Sequence, residues 1–406
     1  MQSKSDSITN AHLTNMNNRT ECESAKPGHD SSSPWYCYAI ILGSLSIIIG
    51  ILWDISWHRS IGRDTFWTPA HIAIHIGGIV GGVVSGYLIL RSSFIKSSNE
   101  YRTSIPIGPL RAPTGAWVCL FGNMAMLASA PFDDWWHNAY GIDVKILSPP
   151  HMVLALGMFC VVFGGLLLLA KDWNNSNSET GIGLKRSPWL MVMGGGILLA
   201  MAGTVLIELS WPNQYRSKTF FIVSCATYPF YLLGIAKATK WRWAGTAIGG
   251  IYMFLICLSV WILPLFKAQP MLAPINNPVD HFVPLPFPLL LIIPGLALDL
   301  IRFSLEKANP FLSNVIIILL APLFFTVTFF YTQYHFGSFL LSESAQNWFF
   351  ATHKHWGYQE TLGPWSYRFW NTAVEDLGQH QYLFYYAFGS CLLAILAGLW
   401  MGRIRR

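Results

Sequence analysis

The chain has 406 residues, of which 53% are hydrophobic and only 11% are charged, and its formal net charge is +6. Soluble globular proteins carry about 25% charged residues, so this composition excludes an ordinary soluble domain and indicates an integral membrane protein whose main partner is the lipid bilayer. The basic residues form no stripe interleaved with aromatic side chains, so we expect no nucleic-acid partner.

The first 35 residues are mostly polar and rich in Ser and Asn. This composition predicts a disordered N-terminal tail, because such a segment has too little apolar surface to form a core. The tail lacks the basic-then-apolar layout of a cleaved secretory signal. We therefore predict that the apolar run beginning at Tyr36 is a retained first membrane span.

About ten apolar runs follow, each close to the roughly 20 residues that a membrane-spanning helix needs. They lie near residues 36–54, 68–92, 112–131, 149–170, 188–210, 219–237, 243–266, 283–302, 313–334 and 382–401. The sequence thus predicts an all-α polytopic membrane protein of about ten transmembrane helices, because backbone groups in lipid must bond within their own helix. Near the end of the eighth run, Asp299 and Arg302 are three residues apart and are expected to pair.

The distribution of Lys and Arg predicts how the chain is oriented in the membrane, because these residues are enriched in the segments on the inner side. With the N-terminus inside, the inner segments hold most of the 26 basic residues, and the Arg-rich end of the chain also lies inside. The longest segment between spans, residues 335–381, then lies outside. We expect three regions: the tail 1–35, a four-helix region 36–170, and a six-helix region 171–406.

One motif occurs twice, between the first and second spans and between the third and fourth. It consists of an Asp, a His four residues later, and a second His thirteen or fourteen residues after the first. The copies are Asp54, His58 and His71, and then Asp133, His137 and His151. A Trp before the first His, a Gly and an Asp after it, and a Pro two residues before the last His also match. This internal repeat predicts duplicated helical hairpins with both clusters at the outer face.

An Asp and two His residues are a suitable ligand set for Cu, Zn, Fe or Mn. Three protein ligands leave coordination positions open, as in reactive metal sites. Metal-bound His side chains usually donate their second N–H to a carboxylate or carbonyl, and Asp64 and Asp143 are candidates for that role. His75 lies one helical turn after His71 and is a further candidate, either behind the ligands or as a fourth ligand.

The motif Asp54-Ile-Ser-Trp57-His58, followed by Thr68-Pro69-Ala70-His71, resembles the signature of the C subunit of particulate methane and ammonia monooxygenases. In that family the corresponding Asp and two His form an intramembrane copper site. The second cluster resembles the family's second one, with Asp133 in place of an Asn. The resemblance covers about residues 36–170. It implies copper, partner membrane subunits or an electron donor, and oxygen-dependent oxidation of a small apolar molecule.

Three functional hypotheses remain open. The first is a copper-binding membrane protein that takes part in such an oxidation, either as a monooxygenase-like oxidoreductase or as a subunit of one. The alternative is a non-enzymatic protein of copper uptake, storage or delivery, for which we expect Met or Cys ligands continuing across the bilayer. Several Met residues do lie in spans three to five, although core packing explains them equally well. In the third hypothesis, the Asp and His side chains only brace loops.

Overall fold

The computed structural model describes residues 33–62, 64–65, 67–140, 148–179, 188–271, 280–351 and 381–406, and these are mostly helical. Ten helices longer than four residues occur in this part of the chain. They are α1 (Trp35–Ser60), α2 (Pro69–Phe94), α3 (Thr114–Tyr140), α4 (Pro149–Glu179), α5 (Trp189–Val205), α6 (Lys218–Thr239), α7 (Ala244–Ile262), α8 (Ile292–Ser304), α9 (Pro310–Leu340) and α10 (Gln381–Met401).

Eight of these helices are long and apolar enough to cross a membrane, namely all except α5 and α8. Large apolar side chains on them face outward. Leu42, Ile79 and Leu127, for example, are 65%, 64% and 78% exposed. Such side chains would be unfavourable in water but suit lipid. The chain is therefore an integral membrane protein.

Consecutive helices α1–α2 and α3–α4 pack against each other, and α2 also contacts α3. Between α2 and α3 lies a small antiparallel hairpin of β1 (Ile105–Ile107) and β2 (Leu110–Ala112). Glycines allow α3 and α4 to approach closely: a Cβ on Gly122 would lie 2.7 Å from the carbonyl oxygen of Gly157. This backbone approach fixes the spacing of the two helices that carry the second Asp/His cluster.

The helix α5 is 17 residues long, and most of its residues are buried. It contacts α1, α4, α6 and α7, so it joins the first four helices to the rest of the chain. The last helix, α10, packs on α6 and α9. At the end of α10, the side-chain amide of Asn174 on α4 donates to the carbonyl oxygens of Met401 and Ile404 at 2.8 and 3.0 Å.

The eighth predicted span is only partly helical. Residues 282–290 are not helical, and α8 begins at Ile292 and has 13 residues. The physical reason is the sequence: Pro284, Pro286 and Pro288 lack a backbone N–H and clash with a preceding helical turn. The helical part of this run is thus shorter than the roughly 20 residues that a helix needs to cross the bilayer alone.

The non-helical segment 282–290 is mostly buried, and its backbone groups bond to side chains on helices and turns around it. The bonds run from Ser56 Oγ to Val283 O (2.7 Å), from Val283 N to Ser60 Oγ (2.7 Å), from Tyr215 Oη to Phe287 O (3.3 Å), from Leu289 N to Tyr252 Oη (3.3 Å) and from Leu290 N to Gln333 Oε1 (3.1 Å). Buried irregular backbone requires such protein partners, because no water is available to bond its N–H and C=O groups.

The predicted pairing of Asp299 with Arg302 is confirmed, at 2.7 Å. Asp299 is fully buried, and it also accepts hydrogen bonds from the backbone N–H groups of Gly245 and Thr246 at 3.1 and 2.7 Å. These amides belong to the first turn of α7, where N–H groups have no partner within the helix. Asp299 therefore fastens α8 to the start of α7.

Two predicted segments lie partly outside the described residues. The tail 1–35 is described only from residue 33, and the outer segment 335–381 is described only to residue 351 and at residue 381. The first residues of that segment are helical, since α9 continues to Leu340. None of the six described cysteines is in a disulfide, and five of them are buried.

Candidate metal centre

Two local features of the chain position the first cluster. The helix α1 continues to Ser60, so Asp54 and His58 lie one turn apart on the same face. Thr68 caps α2, and its Oγ1 accepts a hydrogen bond from the backbone N–H of His71 at 3.2 Å. Pro69 occupies the first helical position, where a missing N–H costs nothing. His71 is thereby fixed in the first turn of α2, beside the last turns of α1.

The three side chains of the first cluster converge. Asp54 Oδ1 lies 3.1 Å from His71 Nε2 and 3.6 Å from His58 Nε2. One ligand atom of each residue lies within 4.8 Å of the others. Both imidazoles turn the same nitrogen, Nε2, toward a single carboxylate oxygen. The sequence prediction that these three residues come together therefore agrees with the geometry.

The distances suit a first-row metal ion. Bonds of about 2.0–2.1 Å in tetrahedral geometry separate neighbouring ligand atoms by about 3.3 Å, close to the two Nε2–Oδ1 distances here. Asp54 Oδ1 is buried, and His71 Nε2 lies within hydrogen-bond distance of it, at 3.1 Å. With two neutral imidazoles the cluster carries a charge of −1, which favours a cation. The residues present thus fit a copper ion as well as other first-row ions.

The second ring nitrogen of His58 has a backbone partner. Nδ1 lies 3.1 Å from the carbonyl oxygen of Gly62, two residues beyond the end of α1. If Nδ1 carries the proton, it donates to this oxygen, and Nε2 keeps its lone pair directed toward Asp54. This is the arrangement that orients metal-bound histidines in other proteins. Gly62 has φ +85°, a conformation that favours glycine, and this explains the glycine four residues after His58.

The other predicted residues of the site are Asp64, His75 and Asp143, and the structure describes the first two. The Asp64 carboxylate accepts a hydrogen bond from the backbone N–H of Met271 at 2.7 Å, which joins the loop between α1 and α2 to the second half of the chain. The His75 ring lies beside that of Trp67, with ring centroids 6.2 Å apart and the two planes tilted by 51°. The group of converging ligand atoms among the described residues contains neither Asp64 nor His75. Asp143 lies outside the described residues.

The second cluster repeats part of this geometry. Asp133 Oδ1 lies 3.5 Å from His151 Nε2. Ser148 stands three residues before His151, as Thr68 does before His71, and its Oγ accepts from the backbone N–H of His151 at 3.4 Å. His137 lies on α3, one turn after Asp133, but its side chain is outside the described part of the structure. The structure therefore brings together two of the three predicted residues.

The two clusters are neighbours. The His151 imidazole lies close enough to Asp54 to interact electrostatically with its carboxylate. Packing explains this proximity, because α2 contacts α3 and α1 contacts α4. The sequence predicts two sites at the same face of the membrane, and the helix packing places them side by side.

Two pairs of residues that support the clusters were not predicted from the sequence. The caps Thr68 and Ser148 do have a signal, since a Ser or Thr stands three residues before the second His in both copies. The serines Ser56 and Ser60 lie on the face of α1 opposite to Asp54 and His58 and bind Val283. A four-residue interval between serines has no distinguishing pattern, and their partner lies more than 200 positions away.

No family model, no curated protein and no solved structure matches this chain. The resemblance to the monooxygenase C subunit therefore depends on the motif residues alone.

Proposed function

We propose that the chain is a copper-binding membrane protein, related to the C subunit of particulate monooxygenases, that takes part in oxygen-dependent oxidation of a small substrate. In this proposal Asp54, His58 and His71 hold one ion, and a second set holds another. That second set is Asp133, His137 and His151. Partner subunits or an electron donor supply the electrons.

The observation that supports this proposal most directly is the convergence of two imidazole Nε2 atoms on the buried Oδ1 of Asp54, with a carbonyl behind His58. A set of loop-bracing hydrogen bonds, the third hypothesis above, does not explain why two imidazole nitrogens converge on one carboxylate oxygen. A metal ion satisfies all three side chains at once. Copper supplies redox chemistry with dioxygen, and three protein ligands leave a position for the reactants.

The topology that we propose has ten spans, with the helical hairpins α1–α2 and α3–α4 as repeats and with both chain ends inside. In this arrangement α5 and the pair formed by segment 282–290 and α8 complete the ten. A broken span of this kind is tolerated when protein side chains satisfy its backbone, as they do here at Val283 and Leu290. Both clusters then face outward, since they lie where α1 and α3 end.

Metal analysis of the purified chain tests the proposal. We expect copper by mass spectrometry, an electron paramagnetic resonance signal with nitrogen coupling after oxidation, and substrate-dependent oxygen consumption in membranes. His58→Ala and His71→Ala should each remove one copper per chain and abolish oxygen consumption. The matched control is His335→Ala, which changes a histidine on α9. Copper content unchanged in both ligand variants would refute the proposal.

One observation favours the alternative, copper uptake or delivery without catalysis. Cys119, Met126 and Asp133 follow one another at intervals of seven residues and therefore share one face of α3. Cys119 and Met126 are 0% and 5% exposed. Both lie against α4, because Cys119 Sγ is 3.4 Å from Val161 O and a Cβ on Gly157 would touch Met126 Cγ. Sulfur ligands below the second cluster would suit Cu(I).

The two functions predict different results for the same variants. If the chain carries copper inward, Met126→Leu and Cys119→Ala should slow uptake of Cu(I) into proteoliposomes. The control is Met124→Leu, because Met124 lies on the same helix and is 57% exposed. If the chain serves oxidation, the same two variants should leave oxygen consumption unchanged, and uptake should not differ from liposomes without protein.

A further inference from the structure

The helix α8 has an apolar face that the rest of the described chain leaves exposed. Leu296, Leu300 and Phe303 lie on this face, because they follow one another at intervals of four and three residues. They are 40%, 50% and 39% exposed. Leu298 and Ile301, on the opposite face, are buried where α8 packs on α7 and α9. In a bilayer the three exposed residues, which we call the α8 stripe, contact lipid.

The α8 stripe leads to the membrane face opposite to the Asp/His clusters. Before α8, Val283 is bonded to Ser60 near the end of α1 that carries the first cluster. At the other end of α8, Asp299 accepts a hydrogen bond from the backbone N–H of Gly245 at the start of α7. The stripe extends over about 10 Å, and one leaflet contributes about 15 Å of the hydrocarbon core. A single leaflet therefore accommodates the whole stripe.

Basic side chains gather where the α8 stripe ends. The guanidinium carbon of Arg242 lies 3.2 Å from the centroid of the Phe303 ring. Lys237 is close enough to both Lys240 and Arg302 to interact electrostatically with them. The carbonyl end of a helix attracts cations, and Arg302 takes this role, because it donates to a carbonyl oxygen in the last turn of α6 at 2.7 Å. The other three cations do not bond to this helix end.

Carboxylates balance only part of this charge. Asp299 is fully buried, and its two oxygens are occupied by Arg302 and by N–H groups in the first turn of α7. Glu306 lies beside Lys307 in the exposed turn after α8, so these two charges cancel. Three cations near the end of the stripe therefore have no carboxylate partner in the part of the chain that the structure describes: Lys237, Lys240 and Arg242. The last two of these are exposed.

We propose that the α8 stripe and the cations at its end bind one anionic phospholipid. Its phosphate oxygens accept hydrogen bonds from the Arg242 guanidinium and the Lys240 ammonium group, and one of its acyl chains lies along Leu296 and Leu300. A guanidinium group can hold phosphate through two parallel N–H bonds, and basic pockets between transmembrane helices suit anionic headgroups.

Two related ligands fit this place less well. A zwitterionic lipid such as phosphatidylcholine carries a cation in its headgroup, which the uncompensated basic side chains repel. A free phosphate ion uses the basic side chains but leaves the α8 stripe without a partner. Binding of an anionic lipid does not require a metal ion, so the proposal stands independently of the proposed function.

Native mass spectrometry of the full chain tests the headgroup. Nanodiscs contain phosphatidylglycerol and phosphatidylcholine in equal parts and with the same acyl chains, and the lipids that the released protein retains are counted. We expect wild type to retain phosphatidylglycerol in preference to phosphatidylcholine. Arg242→Gln should lower this preference about fivefold, the effect of one basic residue at a membrane surface, and Arg242→Lys should lower it less. Inorganic phosphate in the buffer should not displace the lipid.

The matched control is Arg102→Gln. Arg102 is exposed and lies between α2 and α3, at the same membrane face as the end of α8. It should leave the lipid preference at the wild-type value. An equal loss in Arg102→Gln and Arg242→Gln would overturn the proposal, because the lipid would then respond to the charge of the whole face. Equal retention of the two lipids by wild type, or displacement of phosphatidylglycerol by inorganic phosphate, would overturn it as well.

Photocrosslinking provides a second arm, which tests the acyl chain. Phosphatidylglycerol with a photoreactive group in one acyl chain should label residues 296–303 of wild type, and the same group in phosphatidylcholine should label them less. Arg242→Gln should reduce the labelling by phosphatidylglycerol. Equal labelling by the two lipids contradicts the proposal. If Arg242→Gln fails to fold, Lys240→Gln takes its place, and the comparison of the two lipids on wild type decides the question.

Discussion

The hydroxyl of Ser60 and the backbone amide of Val283, 223 positions apart in the chain, are joined by a buried hydrogen bond of 2.7 Å. The Ser56 hydroxyl completes the connection, since it donates to the carbonyl of the same Val283 at 2.7 Å. Ser56 and Ser60 flank His58 in sequence but face away from it. The non-helical segment 282–290 is therefore bonded to the last turns of α1, on the face opposite to Asp54 and His58.

Replacing both serines should destabilise the protein without removing a metal ligand. In Ser56→Ala/Ser60→Ala, the N–H and C=O of Val283 lose their partners in a buried place. We expect the free energy of unfolding to fall by about 1–3 kcal/mol, measured by denaturation in detergent. Copper content per folded chain should stay at the wild-type value, because Asp54 and His58 lie on the other face.

A matched control for this variant is Ser46→Ala, on the same helix. The Ser46 hydroxyl donates to the Ala73 carbonyl at 2.7 Å. That carbonyl lies inside α2 and keeps its helical partner, so Ser46→Ala leaves no backbone group unpaired. We expect a clearly smaller loss of stability. An equal loss in both variants would contradict the role assigned to Val283.

The sequence predicts the first cluster well because each ligand depends on local rules. Asp54 and His58 share a face once α1 remains helical, and Pro69 marks the start of α2 near His71. The break in the eighth span was harder to predict from the sequence, since three prolines in an apolar run fit both a kinked helix and an extended segment. The partners of that segment, such as Gln333 and Tyr252, are set by long-range packing, which no interval in the sequence encodes.

The second metal site should be separable from the first. His151→Ala removes a ligand from α4 and leaves Asp54, His58 and His71 intact. We expect the copper content to fall from about two to about one ion per chain, measured by mass spectrometry of the purified protein. Because a nearby cation would repel one in the first site, the remaining ion should bind at least as tightly as before. Loss of both ions would show that the clusters form one unit.

The close approach of α3 and α4 should tolerate no added methyl group at Gly122. A Cβ there would lie 2.7 Å from Gly157 O and 2.8 Å from Cys160 Cβ, so the helices have to separate. We expect Gly122→Ala to lower the free energy of unfolding by about 1–3 kcal/mol and to weaken copper binding at the second site, whose ligands these helices carry. Denaturation and metal analysis measure the two effects.

The control for that substitution is Gly86→Ala on α2. A Cβ at Gly86 meets nothing within 4 Å, and Ala favours a helix over Gly by about 1 kcal/mol. Gly86→Ala should therefore be neutral or slightly stabilising, with the copper content of wild type. Similar losses of stability in Gly86→Ala and Gly122→Ala would mean that the loss in Gly122→Ala does not come from close packing of α3 on α4.

Among the described carboxylates in the second half of the chain, Asp299 is the one whose replacement should lower the free energy of unfolding most. It is fully buried, pairs with Arg302 at 2.7 Å and accepts the N–H groups of Gly245 and Thr246. Asp299→Asn leaves the Arg302 guanidinium without its counter-charge, and removing one partner of a buried pair costs about 3–5 kcal/mol. We expect a loss of this size in detergent unfolding and none in Glu306→Gln, a substitution at an exposed site. The double variant Asp299→Leu/Arg302→Met removes both charges and should recover part of the loss. If it is less stable than Asp299→Asn, the hydrogen bonds from Gly245 and Thr246, rather than the ion pair, hold α7 to α8.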